Sequence, residues 1–347
     1  MKKTMLIGLT LSLVMAAGIN TLAQSVTING AGATFPFPIY SQWAYEYEKL
    51  TGMKLNYQSI GSGGGITQIK AKTVDFGASD APLKKDELSL AGLAQFPMII
   101  GGIVPVVNIK GIEAGKLQLT PALLADIFLG KITKWDDPAI KKVNPNLPLP
   151  TRDITIVHRA DSSGTTWIFT NYLAKMSNEW KQKVGNDKAV AWPTGVGGKG
   201  NEGVAAYVKR VEGGIGYVEY AYAKQNKMTF TLLQNQAGKF PTPSIESFQA
   251  AAAGADWKNA PALYMVLIDQ PGDDSWPITG ASYILVQKSQ TKAELAPAMF
   301  KFFDWCFKSG ADLAKKLDYV PLPNNVVDLV EATWKSEISA GGKPVWQ

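Results

Sequence analysis

Short apolar runs alternate with segments of helical period along almost the whole chain, and that alternation most limits its fold. Residues 26–28, 54–57, 74–78, 99–108, 154–157, 215–218 and 283–286 read as strands. Residues 36–49, 65–71, 120–129, 165–174, 202–209 and 294–312 read as helices. In 36–49 the residues Tyr40, Trp43, Ala44 and Tyr47 keep helical spacing, and Pro36 suits a first turn. Residues 134–138 and the Pro-rich 144–150 read as loops. Strands joined through helices form parallel sheets with helices on their faces. In such sheets ligands bind where the carboxyl ends of strands turn into helices. The fold class is therefore α/β, and its function is to be sought in the strand-to-helix turns.

Three of those turns are rich in glycine and hydroxyl residues. Arg159-Ala160-Asp161-Ser162-Ser163-Gly164-Thr165-Thr166 follows one strand and opens a helix. A guanidinium fork, hydroxyls and the free N–H groups of a helix start together suit an oxyanion. The same residues also describe an ordinary Ser/Thr-capped turn with a surface Arg–Asp pair. Gly30-Ala31-Gly32-Ala33-Thr34-Phe35-Pro36 and Gly61-Ser62-Gly63-Gly64-Gly65 are two more turns of this kind. Their glycines let backbone approach a ligand closely, and three such turns in one chain favour a tetrahedral oxyanion. Nucleotide motifs fail. Residue 200 is Gly where a phosphate-binding loop needs Ser or Thr, and Phe35 stands where a dinucleotide fingerprint needs its third glycine.

Asp80 ends the strand-like run Val74-Asp75-Phe76-Gly77-Ala78-Ser79. An ionised carboxylate only accepts hydrogen bonds, so beside an anion it needs a ligand that still carries a proton. Hydrogen phosphate offers one; sulfate at neutral pH does not. Asp80 also suits the N-cap of a helix over 82–88.

The 347 residues suffice for about two domains. Residues 1–23 carry Lys2 and Lys3, an apolar stretch and small residues near Ala23, the pattern of a cleaved secretory signal peptide. Its loss lowers the formal charge from +6 to +4, with 33 basic and 29 acidic residues remaining. That suits small anions and is too little for a nucleic-acid surface. The single cysteine, Cys306, lies in an aromatic helix and reads as core. The single histidine, His158, leaves no histidine-rich metal site. It reads as a strand-edge neighbour of Arg159.

The three turns, Val74-Asp75-Phe76-Gly77-Ala78-Ser79-Asp80-Ala81-Pro82 and Gly213-Gly214-Ile215-Gly216-Tyr217-Val218-Glu219 resemble those of the periplasmic phosphate-binding proteins of phosphate-specific ABC transporters. The likeness covers nearly the whole chain. It implies a two-domain periplasmic binding protein fold, type II-like, each domain a mostly parallel β-sheet flanked by helices, with two hinge strands between them. Domain I would comprise residues 24–104 plus 276–347 and domain II residues 105–275, the chain crossing near 104–106 and 274–279 around a ligand cleft. The resemblance implies a periplasmic monomer that binds inorganic phosphate with high affinity and delivers it to a membrane permease. It implies no enzymatic activity, cofactor, metal or nucleic-acid partner. Carried over position by position, the ligands are Thr34, Phe35, Ser62, Asp80, Arg159, Ser163, Gly164 and Thr165, with Asp161 bracing Arg159. Phe35 and Gly164 would act through backbone N–H. His158 and Ser162 depart mildly from the family pattern. The alternatives are another protonated oxyanion such as a phosphonate, and a secreted phosphatase. The phosphatase lacks an evident base or metal pair.

Overall fold

The computed structural model describes residues 27–347; the expected signal peptide, 1–23, lies outside them. Strands β1 (Thr27–Gly32), β2 (Lys54–Ser59) and β3 (Phe76–Ser79) pair in parallel in the order β2-β1-β3. Helix α1 (Phe37–Thr51) follows β1, and α2 (Ser62–Lys70) follows β2. Helix α3 (Lys85–Ala91) leads into β4 (Leu93–Val107), whose fifteen residues are all buried. Strands β5 (Thr155–Arg159), β6 (Val196–Gly198) and β7 (Gly214–Glu219) form a second parallel group. They are followed by α4 (Gly164–Met176), α5 (Gly200–Arg210) and the short α6 (Tyr220–Gln225). The chain returns through β8 (Thr279–Gln287) and closes with α7 (Leu295–Phe307), α8 (Ala311–Lys316) and α9 (Asn324–Glu337).

The strands make one continuous curled sheet in the order β2-β1-β3-β8-β4-β7-β5-β6. Strand β4 pairs with β8 from Leu93 to Gly102, then with β7 from Ile103 to Val107, antiparallel in both cases. It therefore belongs to two lobes. In the first lobe β8 alone is reversed, so β4 runs with β1 and β3 and leaves at their carboxyl ends. In the second lobe β4 runs against β7 and enters beside Glu219, the carboxyl end of that strand. Both parallel groups thus aim their carboxyl ends at one cleft, where ligands of such sheets bind. At the crossing, Ile103 N–H donates to Ile278 O at 2.8 Å and the Trp276 indole to Ile103 O at 2.9 Å.

The first lobe is held by aromatic side chains. Trp43 on α1, Phe303 on α7 and Trp334 on α9 are buried with Phe76 and Phe96 of the sheet. Burying one such side chain contributes about 1.5–3 kcal/mol. Three expectations are corrected here. Helix 294–312 is two helices, α7 and α8, because the backbone leaves the helical region at Lys308; Gly310 then opens α8, and its carbonyl accepts from the Trp43 indole at 2.8 Å. The strand expected from 99 begins at Leu93, since Gln95, which hid it, turns to bond Leu83 N and Leu83 O. Asp80 caps no helix; α3 starts at Lys85, behind Lys84.

Candidate oxyanion site

The expected residues converge at the cleft. Thr34 and Phe35 occupy the turn between β1 and α1, Ser62 opens α2, and Asp80 follows β3. From the other lobe, Arg159 ends β5, Ser163 caps α4, and Gly164 and Thr165 begin it. The lobes touch here. Gly63 N–H donates to Ser162 O at 2.9 Å and Gly164 N–H to Ser62 Oγ at 3.0 Å. Only glycine permits this approach. A Cβ on Gly164 would sit 2.6 Å from Asp80 Cβ, and one on Gly63 would overlap the Ser162 side chain. The contacts bury every expected ligand side chain, with Asp80 only 1% and Arg159 only 4% exposed, while the bracing Asp161 is half-buried.

The hydroxyls share one bonding pattern. Thr34 Oγ1 accepts from Asn201 N at 3.2 Å and from Asn201 Nδ2 at 2.7 Å. Thr165 Oγ1 accepts from Asn201 Nδ2 at 3.1 Å, and Ser163 Oγ from Thr166 N at 3.0 Å. Ser62 Oγ accepts from Asp80 N and Gly164 N at 3.1 and 3.0 Å. Each oxygen is occupied by an N–H, which can only donate, so each hydroxyl proton is left free to donate to a ligand. The N–H groups of Thr34, Phe35 and Thr165 have no acceptor among the described residues. Helix α4 adds the positive end of its dipole at Gly164 and Thr165. Gly164 N–H, expected to face the ligand, is engaged by Ser62.

One cation and one acid complete the site. Arg159 Nε donates to Asp161 Oδ1 at 2.8 Å and Nη2 to Asp161 Oδ2 at 2.5 Å. Gly200 N–H also reaches Asp161 Oδ1, at 3.0 Å. Burial raises Asp161, but these partners outweigh it and hold the carboxyl below the usual range. Arg159 Nη1 is buried without a partner. Asp80 Oδ1 accepts from Ser282 Oγ at 2.8 Å, while Oδ2 is buried and unpaired. Burial pushes Asp80 up to about 7, although Ser282, the Arg159 charge and Ser62 pull the other way. A site with unspent hydroxyl protons, a free guanidinium nitrogen and one free carboxylate oxygen fits an anion that also offers a proton.

A network behind the site escaped the sequence reading. Asn201 lies on α5, after a fourth strand-to-helix turn, next to the Gly200 that fails the phosphate-loop pattern above. Ser282 lies on β8. Glu219 Oε2 accepts from Ala221 N at 2.9 Å and lies 2.8 Å from Tyr319 Oη, which is 2.7 Å from Phe35 O. A phenol has one proton and Phe35 O only accepts. Both Tyr319 contacts are hydrogen bonds only when Glu219 is the neutral acid and donates. Burial pushes Glu219 well above its usual value, against the pull of Ala221 N–H. His158 stacks on Trp192 with ring centroids 4.9 Å apart, beside Arg159. Among the described residues no group of three or more His, Cys, Asp or Glu could hold a metal ion.

Comparison with known proteins matches residues 19–309 to the PBP superfamily domain. The phosphate-binding protein PstS of Pasteurella multocida (strain Pm70) is 56% identical over 347 residues, covering 100% of this chain and 99% of its own. That of Xylella fastidiosa (strain Temecula1 / ATCC 700964) is 59% identical over 314 residues, covering 90% and 86%. The solved structure of a high-affinity periplasmic phosphate-binding protein (PfluDING) bound with phosphate at pH 8.5 superposes with a TM-score of 0.73 at 20% identity. It covers 91% of this chain and 96% of its own and shares the two-lobed periplasmic binding protein fold.

Proposed function

The chain belongs to the PstS family of phosphate-binding proteins within the PBP superfamily, and on that premise we propose that it captures inorganic phosphate and passes it to the membrane permease of an ABC transporter. The observation that carries this reading is the proton inventory of the closed cleft. Four hydroxyls keep their protons free to donate beside the unpartnered Nη1 of Arg159, and Asp80 Oδ2 is the one acceptor among the expected ligands left open. HPO4 or H2PO4 satisfies both kinds of group; sulfate satisfies only the donors.

Thr34, Ser62, Ser163 and Thr165 donate hydroxyls, Phe35 donates N–H, and Arg159 donates from Nη1 while Asp161 fixes its plane. Gly164 joins the donors when Ser62 turns to the ligand. Asp80 accepts the ligand's own proton. Each charge-assisted bond contributes about 1.5–3 kcal/mol, and several together support sub-micromolar binding after ordering costs. The lobes divide as domain I, 24–104 plus 276–347, and domain II, 105–275, closing about the β4 crossing. The protein works in the periplasm as a monomer and performs no reaction on its ligand. Ser163 Oγ serves as the α4 cap, and the one histidine keeps its ring on Trp192. Among the described residues no helix is long and apolar enough to cross a membrane.

Calorimetry on wild type and Asp80→Asn with phosphate and sulfate tests the reading. At pH 8 wild type takes phosphate and refuses sulfate, while Asp80→Asn takes both. At pH 5.5 wild type begins to accept sulfate, because Asp80, at about 7, is then protonated and donates. Equal binding of the two anions by wild type at pH 8 sinks the reading.

A further inference from the structure

Three consecutive carbonyls at the first turn each accept a tyrosine hydroxyl. Tyr57 donates to Ala33 O at 2.7 Å, Tyr222 to Thr34 O at 2.6 Å and Tyr319 to Phe35 O at 2.7 Å. The three come from β2, from α6 of the opposite lobe and from the segment before α9. They lie 24, 188 and 284 residues from their acceptors, so tertiary folding alone brings them together. Each peptide group joins the carbonyl of one residue to the N–H of the next. Ala33 O shares its peptide with Thr34 N–H, and Thr34 O with Phe35 N–H, both without a partner in the protein. Phe35 O shares its peptide with Pro36, which has no N–H.

We propose that Tyr57 and Tyr222 are positioning residues that aim and strengthen the Thr34 and Phe35 amide donors by bonding the far side of the same peptide groups. This rests on the reading above that those amides face the anion. A hydrogen bond on a carbonyl polarises its peptide and strengthens the attached N–H, by about 10–30% per bond. It also fixes the peptide plane, so no reorganisation is needed when the anion arrives. Burial holds the Tyr57 and Tyr222 hydroxyls well above their ordinary values, so they stay protonated donors. The Tyr57 ring is set by Tyr40, at a centroid distance of 5.2 Å, and by Phe76, at 6.0 Å. Tyr222 belongs to the second lobe, so its bond forms only on closure. The Phe35 donor therefore reaches full strength only in the closed form.

Tyr319 supplies an internal control: an equal bond to the same turn, on a peptide that donates nothing. The test follows backbone amide proton shifts of the whole 15N-labelled protein on adding inorganic phosphate, together with Kd by calorimetry. In wild type the Thr34 and Phe35 amides move downfield. Tyr57→Phe shrinks the Thr34 movement, Tyr222→Phe shrinks the Phe35 movement, and each weakens binding by about five- to ten-fold. Tyr319→Phe leaves both movements intact. Unchanged shifts in Tyr57→Phe and Tyr222→Phe, or an equal loss in Tyr319→Phe, overturn the proposal even where affinity falls. Absence of both movements in phosphate-saturated wild type removes the underlying donor assignment as well. If Tyr222→Phe does not fold, Tyr57→Phe, on edge strand β2, decides alone.

Discussion

The two walls of the cleft are built on different electrostatic plans. The second-lobe wall carries the site's one cation, Arg159, already paired with Asp161, and the N-terminus of the thirteen-residue α4. The first-lobe wall carries no cation. It offers peptide N–H groups, the Thr34 and Ser62 hydroxyls and the acid Asp80. In the function proposed above, the second wall would attract negative charge and the first would read where the proton is. On the proposed reading, the difference assigns charge to one lobe and identity to the other, so full selectivity requires that they meet.

The largest effect expected from breaking this division comes from Arg159→Lys. Lysine keeps the charge but loses the planar fork that serves Asp161 and the ligand together. Phosphate affinity by calorimetry drops by about a hundred-fold, while rejection of sulfate at pH 8 persists because Asp80 is untouched. Loss of both properties together would mean the walls are not separable.

A smaller effect sharpens the meeting of the walls. In Gly63→Ala the new methyl overlaps Ser162, so closure is blocked while α2 gains about 1 kcal/mol of helix propensity. Phosphate binding weakens by about ten-fold, small-angle scattering with phosphate shows a wider particle, and thermal stability without ligand does not fall. Adding Ser162→Gly restores affinity. No restoration would place the damage elsewhere than at this contact.

The smallest effect contrasts the two buried acids. Asp80 and Glu219 both have native values raised above the unfolded ones. Each therefore contributes stability that is complete below about pH 4 and lost as pH climbs toward the native value. The melting temperature of the ligand-free protein declines from pH 4 through 7. Glu219→Gln, which mimics the neutral acid, stays within about 1 kcal/mol of wild type at pH 5 and declines less steeply above it. Asp80→Asn also flattens the slope but, unlike Glu219→Gln, changes anion selectivity. An unaltered slope in Glu219→Gln would show that Glu219 is ionised.

Residues on the strand-to-helix turns were legible in the sequence because local rules govern them: glycine for close approach, hydroxyls and N–H groups at helix starts, an arginine leaving a strand. The βα alternation was legible for the same reason. What lies behind the turns was not. Asn201, Ser282 and the three tyrosines act through partners far along the chain, and no spacing signals that a phenol will meet a particular carbonyl. Glu219 was visible in Gly213-Gly214-Ile215-Gly216-Tyr217-Val218-Glu219 only as a strand end, since the upward push on its carboxyl comes from burial. Gln95 hid the first half of β4, because a polar residue there reads as a loop until Leu83 is found bonding it.

Strand β4 carries a further consequence. Its first ten residues zip to β8 and its last five to β7, so it is structural property of both lobes at once. A second lobe excised at residue 105 would lose the start of this ladder and expose part of β7 as an open edge, a template for aggregation. Each lobe therefore covers an edge that the other would leave open to self-association, and one shared strand keeps both within a single sheet.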